Sequence, residues 1–249
     1  MKHFKTLLML LLFSVNSFSQ NFNVANYTCM VHLSEETKSA DMQFQLLAKA
    51  EDVAEDVAFK LDFDALSSHF YISNPQDIDP MSLNMLKALS NTTGDIYTHT
   101  EDNTVIKEIK PKGDLVYIFG KQNILIKDSI FNPWEITGET KTINGYTCYK
   151  ANYLKKQIQL DKEFIYKAVA WFCPEIPMSF GPAEYSGLPG LIFHLQSNEF
   201  SFILKSLEFE KNLVVRKPSA GKMMSLNEYL IETKKNMEQL KEMAKSFKE

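Results

Sequence analysis

The stretch DIYTHTEDNTVIKEIKPKGDLVYIFGKQNILIKDSI, residues 95–130, decides the fold. It divides into DIYTHT, TVIKEIK, DLVYIFG and NILIKDSI, separated by Asp-Asn, Pro-Lys-Gly and Gly-Lys-Gln. Each run is rich in β-branched and aromatic residues and is bounded by turn formers, the pattern of strands. The connections are too brief for crossover helices, so the four runs predict an antiparallel meander.

Toward the C-terminus the same grammar continues. Residues 134–142 and 146–154 are joined by Asn144-Gly145, a two-residue hairpin signal, and residues 164–173 read as a further strand beyond the QLDK turn. Setting Cys148 opposite Cys173 also sets Tyr149 opposite Phe172 and Ala151 opposite Ala170, which collects apolar side chains on one face. That register favours a Cys148–Cys173 disulfide with Cys29 free; the alternative is three buried thiols. Residues 190–197 and 200–210 form the last hairpin, through Ser197-Asn198-Glu199.

Toward the N-terminus, NFNVANYTCMVHL (21–33) suits an opening strand. Met42, Leu46, Ala50, Val53 and Val57 recur every three or four residues and favour an amphipathic helix over 36–55, although QFQLL is also readable as extended. Residues 58–73 alternate and break near Asp64, as a hairpin does; a short helix follows over 82–90 and ends at the turn residues 91–94. At the far end Ser225 and Glu228 make a capping box, and Leu226, Leu230, Met237, Leu240, Ala244 and Phe247 trace one face of a long helix. The expected class is α+β: a mainly antiparallel curved sheet with a long C-terminal helix and one or two shorter ones.

Residues 1–19 carry Lys2 and Lys5, an apolar core from Leu7 to Phe13, and small residues at Ser17 and Ser19, the order of a secretory signal peptide. The apolar run is about half the ~20 residues that a membrane span needs. The expectation is a mature single domain over 20–249, periplasmic or secreted, with no transmembrane segment. Loss of the two lysines takes the formal charge from −4 to −6, and the remaining cations are scattered among acids, which argues against nucleic acid as a partner.

Before the last hairpin the chain turns a stiff corner, AWFCPEIPMSFGPAEYSGLPGLIFHL. Pro174 and Pro177 donate no ladder hydrogen bonds, so the strand ending at Cys173 leaves the sheet there. In Leu188-Pro189-Gly190-Leu191, proline at the second position and glycine at the third spell a type II turn, with positive φ at Gly190. The corner's Gly187-Leu188-Pro189-Gly190-Leu191-Ile192 resembles the GLPGLI family, secreted proteins of Bacteroidota. The resemblance extends upstream through Trp134, GETKTINGYTCYKA (138–151) and AWFCPEIPMSFGP, and covers roughly 134–195. One departure is Cys173, where the family pattern carries threonine or alanine. The resemblance implies a secreted protein and brings no established activity.

No chemical motif stands out. His32, His69, His99 and His194 belong to no metal pattern, Ser186-Gly187 lacks the context of a nucleophile elbow, and no phosphate loop is present. No catalytic residue, metal ligand or cofactor is expected. Met223-Met224 and the other methionines read as core filler. Glu175, between two prolines, is the most interesting acid: it can accept N–H bonds from the Gly-Leu-Pro-Gly turn or contact a ligand. Phe172, Phe180, Tyr185, Phe193, Phe200 and Phe202 crowd the same region. Either they fill the core, or the curved sheet with the long helix across its concave side encloses an apolar cavity, lined by Glu175, Phe180, Tyr185 and Phe193. The leading expectation is therefore an envelope protein that binds an apolar small molecule, lipid or peptide. The alternatives are an accessory or chaperone-like partner of an outer-membrane transporter or secreted protein, and, last, an enzyme built around Glu175 and Ser186.

Overall fold

The computed structural model describes residues 22–32, 41–130, 133–160, 162–197, 200–218 and 220–246. The signal-peptide reading, residues 36–40 of the first helix, the Asn198-Glu199 turn and Phe247 lie outside the described residues.

Twelve strands form one open sheet, in the order β12-β6-β5-β4-β3-β2-β1-β11-β10-β9-β8-β7. Strand β1 (Val24–Val31) sits in the middle and pairs with β2 (Phe59–Phe63) on one side and β11 (Phe200–Glu208) on the other. Two meanders run outward from it. One is β2, β3 (Ser67–Ile72), β4 (Asp95–His99), β5 (Thr104–Ile109) and β6 (Ile124–Ser129); the other is β11, β10 (Leu191–Gln196), β9 (Lys162–Cys173), β8 (Tyr146–Gln159) and β7 (Trp134–Ile143). All of these pairs are antiparallel; β12 (Lys222–Met224) adds in parallel to β6. The expected register of β8 and β9 holds, with Tyr149 against Phe172 and Ala151 against Ala170.

Among the described residues four α-helices accompany the sheet: α1 (Asp41–Ala54), α2 (Pro80–Leu89), α3 (Asp114–Phe119) and α4 (Leu226–Ser246). Asp79 caps α2 by accepting from the Ser82 backbone N–H at 2.9 Å, and Ser225 and Glu228 cap α4 reciprocally as expected.

Two expectations fail. The run DLVYIFG is the helix α3, flanked by Gly113 and Gly120 at positive φ, so the meander crosses from β5 to β6 through a helical turn. Its Leu115 and Phe119 pack on Ile109, Ile124 and Ile126, a contact no local pattern encodes. The helix α4 does not cross the sheet's concave side: it packs at the far edge, against α3 and β6, where Tyr229 stacks on Phe119 with ring centroids 5.4 Å apart.

In β2 the residues Phe59, Leu61 and Phe63 point into the main core while Lys60 and Asp62 point to the other face, as strand alternation requires. Phe59 stacks on Phe70 at 5.7 Å and meets Phe202 edge-on at 5.0 Å. Each fully buried phenylalanine contributes about 1.5–3 kcal/mol. Tyr27 joins the cluster and donates its buried hydroxyl to the Ile192 carbonyl at 2.6 Å, which ties β1 to the corner.

Candidate functional site

The corner comes first, because the sequence points there. Its expected type II turn is replaced by a tighter one: the Gly190 N–H donates to the Leu188 carbonyl at 2.8 Å, a three-residue turn centred on Pro189. Positive φ falls on Gly187 (89°) and not on Gly190. Gly190 is needed for another reason: a Cβ there would lie 2.2 Å from the Cys173 carbonyl oxygen. The N–H groups of Leu191 and Ile192 bind the carbonyls of Ile176 and Phe180, and the Trp134 indole N–H donates to Ser186 O at 2.9 Å. The corner folds onto itself.

Phe180 and Phe193 are buried in the main core with Leu188, Leu191 and Ile192, and Tyr185 packs edge-on against Tyr153 at 5.0 Å. Glu175 stands exposed, and its carboxylate accepts the Thr147 backbone N–H at 3.2 Å rather than any N–H of the Gly-Leu-Pro-Gly turn. Pro174 and Pro177 flank it. Ser186 is buried with its hydroxyl unpartnered. Cys29, Cys148 and Cys173 are all buried free thiols. The Cys148 thiol donates to Cys173; that bond and burial push Cys148 up, while the same bond and the N–H groups of Glu175 and Ile176 hold Cys173 down.

A cavity of about 780 Å³ lies elsewhere, on the β2–β5 side of the sheet. Pairing of β3 with β4 ends at Phe70 and Ile96, while β2–β3 pairing runs on to Ile72. The cavity opens beside that gap. Asp62 from β2, His69 and Tyr71 from β3, Asp95 from β4, Glu108 from β5 and Lys87 from α2 all line it.

Register explains the convergence. Asp62 pairs with His69 and Asp95 with Glu108, so each couple shares a face of the sheet, opposite the aromatic core. After β11 an irregular strap, residues 209–217, crosses this face. Val215 packs on Tyr97, Ile106 and Leu125, and Arg216 reaches both acids, Nη2 to Glu108 Oε2 at 2.6 Å and Nη1 to Asp95 Oδ2 at 3.0 Å. Asn123 donates to the other Glu108 oxygen at 2.7 Å.

The electrostatics differ from acid to acid. Burial works to raise Asp95, but the His69 ring, the Lys110 ammonium and the Arg216 guanidinium outweigh it and hold the carboxyl down at about 2. His69 Nε2 is 3.9 Å from Asp95 Oδ2, beyond hydrogen-bond reach, so it acts there through charge and dipole. Asp62 is pushed up by burial, against the Tyr71 hydroxyl and Lys60. Both Asp62 and His69 are more than nine-tenths buried, yet Asp62 Oδ1 and His69 Nε2 have no hydrogen-bond partner. An unpaired buried polar atom costs about 1–3 kcal/mol, so two on one cavity wall need an account. Among the described residues, no group of three or more His, Cys, Asp or Glu is placed to hold a metal ion.

None of these residues was singled out by sequence. The alternation of FKLDF and SHFYI puts Asp62 and His69 on one face, but nothing local says that Asp95, Glu108 and Arg216 meet them.

Comparison with known proteins reaches the other half of the sheet. The match is to a family of unknown function. Its model, described as "Protein of unknown function (Porph_ging)", covers residues 155–194, from the outer half of β8 through β9 and the corner into β10. No curated protein matches the chain. Two solved structures are similar in fold: "Structure of PNGF-II in C2 space group", at 11% identity and a TM-score of 0.53, and "Structure of PNGF-II in P21 space group", at 10% and 0.50. They cover 86% and 83% of this chain, which spans only 33% and 32% of theirs. That likeness concerns the fold alone. Among the described residues no helix is long and apolar enough to cross a membrane.

Proposed function

We propose that the chain is a GLPGLI-type envelope protein, a single domain over 20–249 exported behind a signal peptide, that binds a small polar ligand in the cavity beside the β3–β4 gap. One observation carries the reading: Asp62 Oδ1 and His69 Nε2, deeply buried and without a hydrogen-bond partner, line a cavity of metabolite size. A ligand that donates to Asp62 and bonds His69 removes the cost of both orphans. The ligand is polar, in place of the apolar one expected at the corner, because Phe180 and Phe193 are enclosed by core side chains and the charged groups gather here.

A second reading keeps the accessory-partner expectation. At the β7–β9 end Ile136, Leu154, Ile158 and Ile165 are all exposed, and β7 is an edge strand, features that suit engagement of an envelope protein.

Native mass spectrometry of the mature protein purified from its own source, before and after mild denaturation, tests the first reading. The expected result is a small mass released from the wild type and absent from folded Asp62→Ala and His69→Gln variants. A bare wild-type protein, or a mass that both variants retain, overturns it.

A further inference from the structure

The charges around the cavity do not cancel locally. Arg216 is paired with Glu108 and Asp95, and Asp95 also takes Lys110 at 3.5 Å. Those contacts use two of the three acids that line the cavity. Asp62, the third, sits away from water where ionisation is disfavoured. Lys87 and Lys112 line the same cavity, and among the described residues neither ammonium group has a hydrogen bond or ion pair. Lys87 is half-buried on the last turn of α2; burial, then the neighbouring Lys112 and Lys110, work against its charge and outweigh the attraction of Asp95. Lys112 and Lys110 are exposed where they line the cavity, and a bound anion relieves the positive charge gathered around half-buried Lys87. Asn84 and Thr93 line the same space and offer polar side chains to it.

Resting on the ligand-binding reading above, we propose that the ligand is a small organic oxyanion, its carboxylate or phosphate seated at Lys87 and Lys112 and its hydroxyl or amine donating to Asp62. The two ends complement different defects of one cavity: uncompensated positive charge at the lysines and unpaired acceptor capacity at Asp62. A simple hydrocarbon or lipid tail satisfies neither. A metal cation satisfies only the acid end and is repelled at the other.

The test is isothermal titration calorimetry of the full mature chain at low ionic strength with inorganic phosphate and, separately, with acetate. Saturable binding of at least one of them is expected, at one site per chain, weakened tenfold or more in Lys87→Gln and unchanged within twofold in Lys167→Gln, a cation remote from the cavity. Phosphate binding alone assigns a phosphorylated ligand, acetate binding alone a carboxylate. No saturable binding of either anion, or equal binding by Lys87→Gln and the wild type, overturns the proposal. If both anions fail while native mass spectrometry still releases a mass that depends on Asp62, the oxyanion inference falls and the ligand-binding reading stands. If the anions bind through Lys87 and no such mass exists, the oxyanion seat stands and the wider reading falls.

Discussion

Replacing Arg216 by methionine tests how the strap is held. The change keeps the aliphatic stem over the sheet and deletes the guanidinium. Glu108, whose side chain is 2% exposed, then keeps only the Asn123 hydrogen bond, and Asp95 keeps Lys110 and His69. Stripping the partner from a fully buried charge costs about 3–5 kcal/mol. Arg216 is itself 47% exposed, so water can follow it out, and discounting for that gives about 2 kcal/mol. For a domain of this size that is a fall in Tm of roughly 4–8 °C. Circular dichroism during urea and thermal unfolding at pH 7 measures it. The Glu108→Gln/Arg216→Met double variant, with no orphaned charge, should recover more than half of the loss. The acid limb gives a second reading of the same contact. Asp95 titrates at about 2 in the folded protein, below its ordinary value near 3.9. Its contribution to stability is therefore complete above about pH 4 and is lost as pH falls through about 2. Without Arg216 that acid-limb loss should be shallower. A single variant as stable as wild type, or a double variant no better than the single, would refute the reasoning.

At the corner, Gly190→Ala should cost about 3 kcal/mol or more, since its Cβ would lie 2.2 Å from the Cys173 carbonyl oxygen. Gly138→Ala, with nothing within 4 Å, serves as the control and should stay within ~0.5 kcal/mol in urea unfolding. For the cysteines, peptide mapping without reductant of protein from an oxidising compartment should link Cys148 to Cys173 and leave Cys29 as a thiol; a Cys29 linkage contradicts this pairing.

Local chemistry reaches some parts of this molecule and not others. Strand alternation in β2, β3, β5 and β6, the Asn144-Gly145 turn, the Ser225 cap and the β8–β9 register depend on residues near each other in sequence, and all are legible there. DLVYIFG misleads because five consecutive apolar residues between glycines suit a buried helical turn as well as a strand; the choice fell to packing on Ile124 and Ile126. The position of α4 was hidden for the same reason: an amphipathic face states that it is covered, not by what. Gly190 was legible as a special residue, but its cause, the approach of Cys173, comes from the neighbouring strand.

The candidate site marks that boundary most sharply. Sequence by itself determined a hairpin over residues 58–73 and antiparallel strands within 95–130, since a period of two follows from the backbone alone. Only the tertiary structure decided that Asp62, His69, Asp95 and Glu108 face one cavity, and that Arg216, 108 residues beyond Glu108 in the chain, pairs with two of them while the Lys87 and Lys112 ammonium groups make no ion pair among the described residues. Coulomb interactions and desolvation depend on distance in space and on access to water, and neither quantity is written in a linear spacing.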